Sequence, residues 1–312
     1  MPLVSLREVL KGTHERRFAV GAFNAMDHAF AEGILQAAEE MRTPVILAGG
    51  DFPGPDYARF IPYLLDRIGR SEVPVCLHFD HGSSFEACAR AVQSGYSSVM
   101  IDGSSLPFED NVALTKRVVD MAHAYGVDVE GELGCIGSNW GSMEGEGTGS
   151  VHTDPESARV FVRETGIDAL AVAIGTSHGL YRQAPDLDFE RLAAIRQRVD
   201  VPLVMHGSSG LSERDFSRAI DGGICKINAF TALTMKVTRQ IADDLRDTEL
   251  ASSMSHMISL KMTEYAKQEV MRYIRIFRTL PIEEEVEVIA VLEAGKRSLA
   301  ENREVTLAEV LQ

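Results

Sequence analysis

The feature that most constrains this 312-residue chain is an alternation: short apolar segments rich in β-forming residues recur eight times, with amphipathic helical stretches between them. The segments are "FAVGAFN" (18–24), "PVILAGG" (44–50), "PVCLHFD" (74–80), "SSVMIDG" (97–103), "VDVEGELG" (127–134), "DALAVAIG" (168–175), "PLVMHG" (202–207) and "ICKINA" (224–229). The helical stretches include 28–42, 84–95, 107–126, 155–166, 188–199 and 212–223, where apolar residues recur at helical spacing. Strands separated by helices form a parallel sheet with right-handed crossovers. Eight such units point to an α/β fold closed as a (β/α)8 TIM barrel, rather than to a doubly wound open sheet.

No composition shift or Pro/Ser-rich linker divides the chain, so 1–312 reads as a single domain, with 1–245 the barrel and 246–312 a helical C-terminal extension. The extension holds "EYAKQEVMRYIRIFRTL" and "IEEEVEVIAVLEAGKRSLAEN", expected to pack on the barrel's outside or against a partner subunit. The net charge, 31 − 46 = −15, repels nucleic acid and anionic membrane surfaces. An anionic small substrate therefore needs a local device: a metal, backbone amides or a few basic side chains. No apolar run reaches the length of a membrane span, and the N-terminus lacks the order of a secretory signal, so the expected location is cytoplasmic. The four cysteines are scattered, without C-x-x-C pairing, and read as reduced thiols.

Barrel enzymes place their chemistry at the C-terminal ends of strands. Polar residues are dense there: Asp80 and His81 end the third segment, Asp102 the fourth and Glu132 the fifth. His178 follows the sixth, His206 ends the seventh, and Asn228 lies in the eighth. Neutral imidazoles bind Zn²⁺, and three protein ligands leave a position open for substrate. Three rim histidines therefore suggest a metal centre able to polarise a carbonyl. His78 shares a face with Asp80 and reads as barrel filling. "IGTSHG" (174–179), "HGSSG" (206–210) and "KINAFT" (226–231) combine glycines, hydroxyls and a helix start, the means by which barrels hold a phosphate after the seventh and eighth strands.

Together "HFDHG", "VMIDGSSLPFEDN", "AIGTSHGLY", "LDFERL", "LVMHGSSGLS" and "GGICKIN" resemble the class II, metal-dependent fructose-bisphosphate and tagatose-bisphosphate aldolases, in order, from about residue 4 to about 233. The resemblance implies a zinc barrel that cleaves a ketose phosphate into dihydroxyacetone phosphate and an aldehyde, or joins them. Carried over position by position, His81, His178 and His206 are the zinc ligands and Asp80 the acid/base at the C4 hydroxyl. Asp102 and Glu132 match carboxylates that can hold a displaced metal. Gly179, Gly207, Ser209, Asn228 and Thr231 match the phosphate cradle, where a monovalent cation (Na⁺ or K⁺) is often found. Asn24 matches a substrate-side asparagine. A homodimer or homotetramer is implied by resemblance only.

The departures lie on the other half of the substrate. Gly50 stands where relatives carry a hydroxyl that touches the distal phosphate, and Lys261 falls near the position of an arginine that grips it. Ala232 replaces an acidic residue. These changes imply an aldehyde other than a triose phosphate: short, unphosphorylated or carboxylate-bearing. The glycine-rich stretch "GCIGSNWGSMEGEGTGS" (134–150) follows Glu132 on the same rim, which excludes an interdomain linker. Lacking a Gly-Lys-Ser/Thr ending it is not a P-loop. In the resembled family this loop is a lid whose acidic residue moves the C3 proton. An ungapped alignment puts Trp140 and Gly141 there, so either a shifted glutamate, Glu146 ahead of Glu144 and the reading preferred, has the role, or the loop shapes the pocket with the Trp140 indole and the proton moves another way. Two alternatives use the same residues: a metal-dependent sugar-phosphate epimerase or isomerase, and a non-catalytic sugar-phosphate-binding relative.

Overall fold

The computed structural model describes residues 2–50, 59–138, 151–246 and 254–282. Eight parallel strands close a barrel, each hydrogen-bonded to its neighbours in sequence order: β1 (Val20–Asn24), β2 (Val45–Gly49), β3 (Val75–Gly82), β4 (Ser98–Ile101), β5 (Asp128–Leu133), β6 (Ala169–Val172), β7 (Leu203–Met205) and β8 (Ile224–Ala229). The helices that follow them are α1 (His28–Met41), α2 (Ile61–Gly69), α3 (Phe85–Ser94), α4 (Phe108–His123), α5 (Pro155–Thr165), α6 (Phe189–Arg196), α7 (Glu213–Asp221) and α8 (Thr231–Asp244). The (β/α)8 expectation is borne out. Each strand lies within its expected segment except β3, which runs on to Gly82, and that extension matters for the site.

The strands read as continuous apolar runs because both faces are buried. Alternation sorts them into two cores. Outward residues such as Leu47, Leu77, Val99, Val129 and Leu170 pack under the helices, while inward Ala22, Ile46, Cys76, Met100, Ala171 and Val204 fill the barrel. Two single-turn helices, Leu6–Val9 and Thr13–Arg16, close the lower end, sending Leu6, Val9 and Leu10 into the inner cluster. Arg7 pins this plug by bonding the buried Asp128 carboxylate through its backbone N–H at 2.7 Å and its Nε at 2.8 Å.

Of the C-terminal segment, one long helix, α9 (Ser255–Ile276), is described. It lies against α1 where Gly33 permits close approach: a Cβ there would meet Ala266 Cβ and the Thr263 carbonyl at 2.7 Å. Tyr273 and Phe277 complete the outer core. The second stretch expected to be helical lies, beyond Ile282, outside the described residues. Among the described residues no helix is long and apolar enough to cross a membrane.

Candidate active site

A regular strand turns successive side chains to opposite faces, so Asp80 and His81 should not both reach one site. The β3–β4 register shifts between Phe79 and Gly82, and His81 adopts φ +50°. This irregularity turns His81 back over the rim while Asp80 stays inside the barrel. A non-glycine residue in the left-handed region costs about 1–2 kcal/mol, strain of a kind that gathers at functional sites.

The ligand atoms of His81, His178 and His206 all lie within 4.8 Å of one another. His206 is fully buried; its Nε2 lies 2.8 Å from Glu130 Oε1 and its Nδ1 3.0 Å from His81 Nε2. His81 Nδ1 lies 3.1 Å from Asp102 Oδ2. An ionised carboxylate only accepts hydrogen bonds, so Glu130 and Asp102 place the protons on His206 Nε2 and His81 Nδ1. His81 Nε2 and His206 Nδ1 then face each other as acceptors, with Asn228 Nδ2 3.3 Å from His206 Nδ1, and a cation bound between the two rings would relieve their repulsion. Carboxylates behind imidazoles orient them in this way at metal sites. The residues thus fit the expected zinc. His81, Asp102 and Glu132 form a second such group, which contains the two carboxylates that the family resemblance matched to a displaced metal.

The electrostatics agree. Burial, foremost among its influences, lowers the pKa of His206 and favours the neutral imidazole a metal requires. Burial opposes ionisation of Asp80, but its surroundings, His81 first and Lys226 among them, outweigh it and hold the carboxyl well below its usual range. Asp102 is likewise held low against its burial, mainly by His81 and Ser104. Asn228 Nδ2 donates to both Asp80 oxygens, at 3.1 and 3.3 Å.

Of the proposed cradle residues, Gly179, Gly207 and Ser209 lie in loops, Asn228 in β8 and Thr231 at the start of α8. Ala232 N–H, in the first turn of α8, donates to Ser209 Oγ at 3.1 Å, and no side chain caps that helix beside Thr231. Gly207 (φ +65°) and Gly179 (φ +84°) have backbones that glycine adopts most readily. Tyr181 joins two of these loops: its O–H donates to Gly207 O at 2.6 Å and its oxygen accepts from Ser177 N–H at 2.7 Å. Asn24 is buried at the end of β1. Of the glycine-rich stretch, 134–138 are described: Gly137–Ser138 pairs in parallel with Ser177–His178, and Cys135 pairs antiparallel with Val151. Trp140, Gly141, Glu144 and Glu146 lie outside the described residues.

The sequence reading missed a buried polar network just below the rim. Lys226 Nζ lies 2.8 Å from Glu130 Oε2 and 3.5 Å from His78 Nε2, and His78 Nδ1 lies 3.0 Å from Ser98 Oγ. All four side chains are fully buried. Lys226 and the His206 hydrogen bond override burial and hold Glu130 down at about 2, whereas burial and Lys226 bring His78 down to about 3. His78, read as filling, belongs to this network. The available signal was period two: His78, Glu130 and Lys226 each precede a rim residue, Asp80, Glu132 and Asn228, by two positions.

The sequence matches the family described as "Fructose-bisphosphate aldolase class-II" over residues 4–280. It is 41% identical over 251 residues to a Bacillus subtilis (strain 168) protein named "Probable fructose-bisphosphate aldolase", covering 78% of this chain and 87% of that one. The crystal structure of the YdjI aldolase from Escherichia coli K12 is similar at a TM-score of 0.78 and 33% identity, covering 89% of this chain and 98% of the other. A Campylobacter jejuni fructose-bisphosphate aldolase, with TM-score 0.73, 20% identity and coverage of 89% and 96%, shares the fold.

Proposed function

The chain belongs to the class-II fructose-bisphosphate aldolase family and is a carbon–carbon lyase; from that premise we propose that it reversibly cleaves a ketose phosphate to dihydroxyacetone phosphate and an aldehyde other than glyceraldehyde 3-phosphate, acting in the cytoplasm as a homodimer or homotetramer. The observation that carries the reading is the convergence of His81 Nε2 and His206 Nδ1, 3.0 Å apart, in the interior that holds the buried Asp80. His81, His178 and His206 would hold zinc, with Asp102 and Glu132 flanking. When bound, zinc supplies Lewis acidity toward the substrate carbonyl.

The chain's own groups do the rest. Asp80, ionised and held by Asn228, takes the C4 hydroxyl proton in cleavage and returns it in condensation. Gly179, Gly207, Ser209, Asn228 and Thr231 cradle the phosphate at the N-terminus of α8, with a Na⁺ or K⁺ ion beside it. Asn24 meets the substrate's hydroxyls, and Glu146 or Glu144 moves the C3 proton. At the distal end Gly50 offers no hydroxyl, and Lys261 is engaged by Asp244 at 3.3 Å and Tyr265 at 3.4 Å. Charge-assisted hydrogen bonds are worth about 1.5–3 kcal/mol each, so losing a phosphate grip should cost at least about tenfold in kcat/KM.

The test is retro-aldol kcat/KM, coupled to dihydroxyacetone phosphate release, for fructose 1,6-bisphosphate, ketose 1-phosphates and a 6-phospho-5-keto-2-deoxyaldonate. A preference of about tenfold or more for a substrate other than the bisphosphate is expected. Preference for the bisphosphate would refute the altered aldehyde, and no dihydroxyacetone phosphate from any of them would refute the reaction.

A further inference from the structure

We propose that Glu130, backed by Lys226, is the positioning residue that presents His206 to the metal. The inference rests on the reading of His206 as a ligand, and goes beyond it by assigning work to two side chains below the rim. Left to itself, a neutral His206 has a competing arrangement. With its proton on Nδ1 it would donate to His81 Nε2, 3.0 Å away, and that histidine-to-histidine bond would use up two ligand positions.

Glu130 selects against this tautomer. Its Oε1 lies 2.8 Å from His206 Nε2 and, being an acceptor only, requires the proton there. Its other oxygen lies 2.8 Å from Lys226 Nζ, which fixes its orientation. Neither side chain exposes any surface, and neither does His206, so bulk water cannot replace the bond. Asp102, which faces His81, is by contrast about a quarter exposed, at 26%, and shared with Ser104. The burial of Glu130 and Lys226 serves no contact with substrate, because both lie one inward position below the rim residues of their strands, Glu132 and Asn228.

The test begins with Glu130→Gln/Lys226→Met, which removes both charges so that neither is left buried and unpaired. Zinc affinity of the chelator-stripped protein, read by competition with a chromophoric chelator, should fall by about 10–100-fold. The far-ultraviolet circular dichroism should be retained. At saturating zinc, kcat should fall while KM stays within about twofold, since the substrate cradle is untouched. A folded double variant that binds zinc within about twofold of the wild type would overturn the proposal. Should that variant not fold, long-range ¹H–¹⁵N spectra of the metal-free wild type decide: His206 protonated on Nε2 supports the proposal, and on Nδ1 overturns it. A His206→Ala protein that binds zinc as tightly as the wild type would instead overturn the ligand reading, and this inference with it.

Discussion

Gly207→Ala should damage both the fold and the site, and the two effects can be separated. Gly207 has φ +65°, and a Cβ there would stand 2.7 Å from the carbonyl carbon and oxygen of Ser177 and 2.8 Å from its nitrogen. Ordinary carbon contacts lie near 3.5–4.0 Å, so the Ser177 backbone must retreat by roughly 0.7 Å or more. It cannot retreat alone, because Ser177–His178 is paired to Gly137–Ser138 and Ser177 N–H is bonded to Tyr181. The displacement therefore reaches His178. Left-handed strain costs about 1–2 kcal/mol and overpacking about 1–3 kcal/mol more, so stability should fall by roughly 2–5 kcal/mol and Tm by roughly 3–8 °C. A misplacement approaching 1 Å costs on the order of 100-fold in activity, expected here in kcat/KM together with lowered zinc content. Gly126→Ala is the control. Gly126 has φ +70°, and a Cβ there would have nothing within 4 Å, so the substitution carries the strain without the clash. Its Tm should fall by only about 1.5–3 °C, with kcat/KM unchanged. Equal Tm and kcat/KM in the two variants would refute the argument that Gly207 is reserved for close approach.

Asp80→Asn should lower kcat by about 10²–10⁴-fold while zinc content, measured by atomic emission, stays at the wild-type level; chelation should abolish turnover in the wild type, and added zinc should restore it. The pH dependence of stability should carry the mark of His78, which faces Ser98, Lys226, Glu130 and Asp80. Its folded pKa, about 3, lies below the ordinary 6.5, so the unfolded chain takes up the proton first and stability falls as pH drops below about 6.5. Between about pH 6.5 and 4.5 this one residue should account for about 2–3 kcal/mol. In urea unfolding of the metal-free protein, His78→Asn should be less stable at neutral pH yet lose less over that interval. An unchanged slope would refute the assignment.

The barrel was legible because its rule is local: apolar runs of strand length separated by helix-spaced stretches need no knowledge of distant contacts. The lower plug was not, since helices of four residues such as Leu6–Val9 are too short to show a period. Nor did the pattern locate the start of α9, at Ser255: the polar run from Ser252 to Ser259 and its exposed Met257 hide a helix held by its later residues, Ala266, Val270, Tyr273 and Ile274. In the site, residue type and strand-end position were enough to single out His81, His178 and His206. They could not reveal how Asp80 and His81 come to face one centre, because that depends on a break in register and a positive φ, both imposed by the neighbouring strand and loop.

Glu130 and Lys226 were hidden for a different reason. Barrel interiors are filled chiefly by branched apolar side chains, so inward positions below the rim are normally discounted as packing, as His78 was. A buried ion pair is weak support for stability, since an apolar pair of similar volume often serves as well or better. Burying this pair under Asp80, His81 and His206 is therefore not explained by what it does for the barrel. It is explained if the pair acts upward, on the one rim imidazole that lies beyond the reach of solvent. If so, period two in strands β3, β5 and β8 carries two messages at once: the upper polar residues of each strand, Asp80, Glu132 and Asn228, would face the reaction, and those two positions below, His78, Glu130 and Lys226, would hold its charges in place.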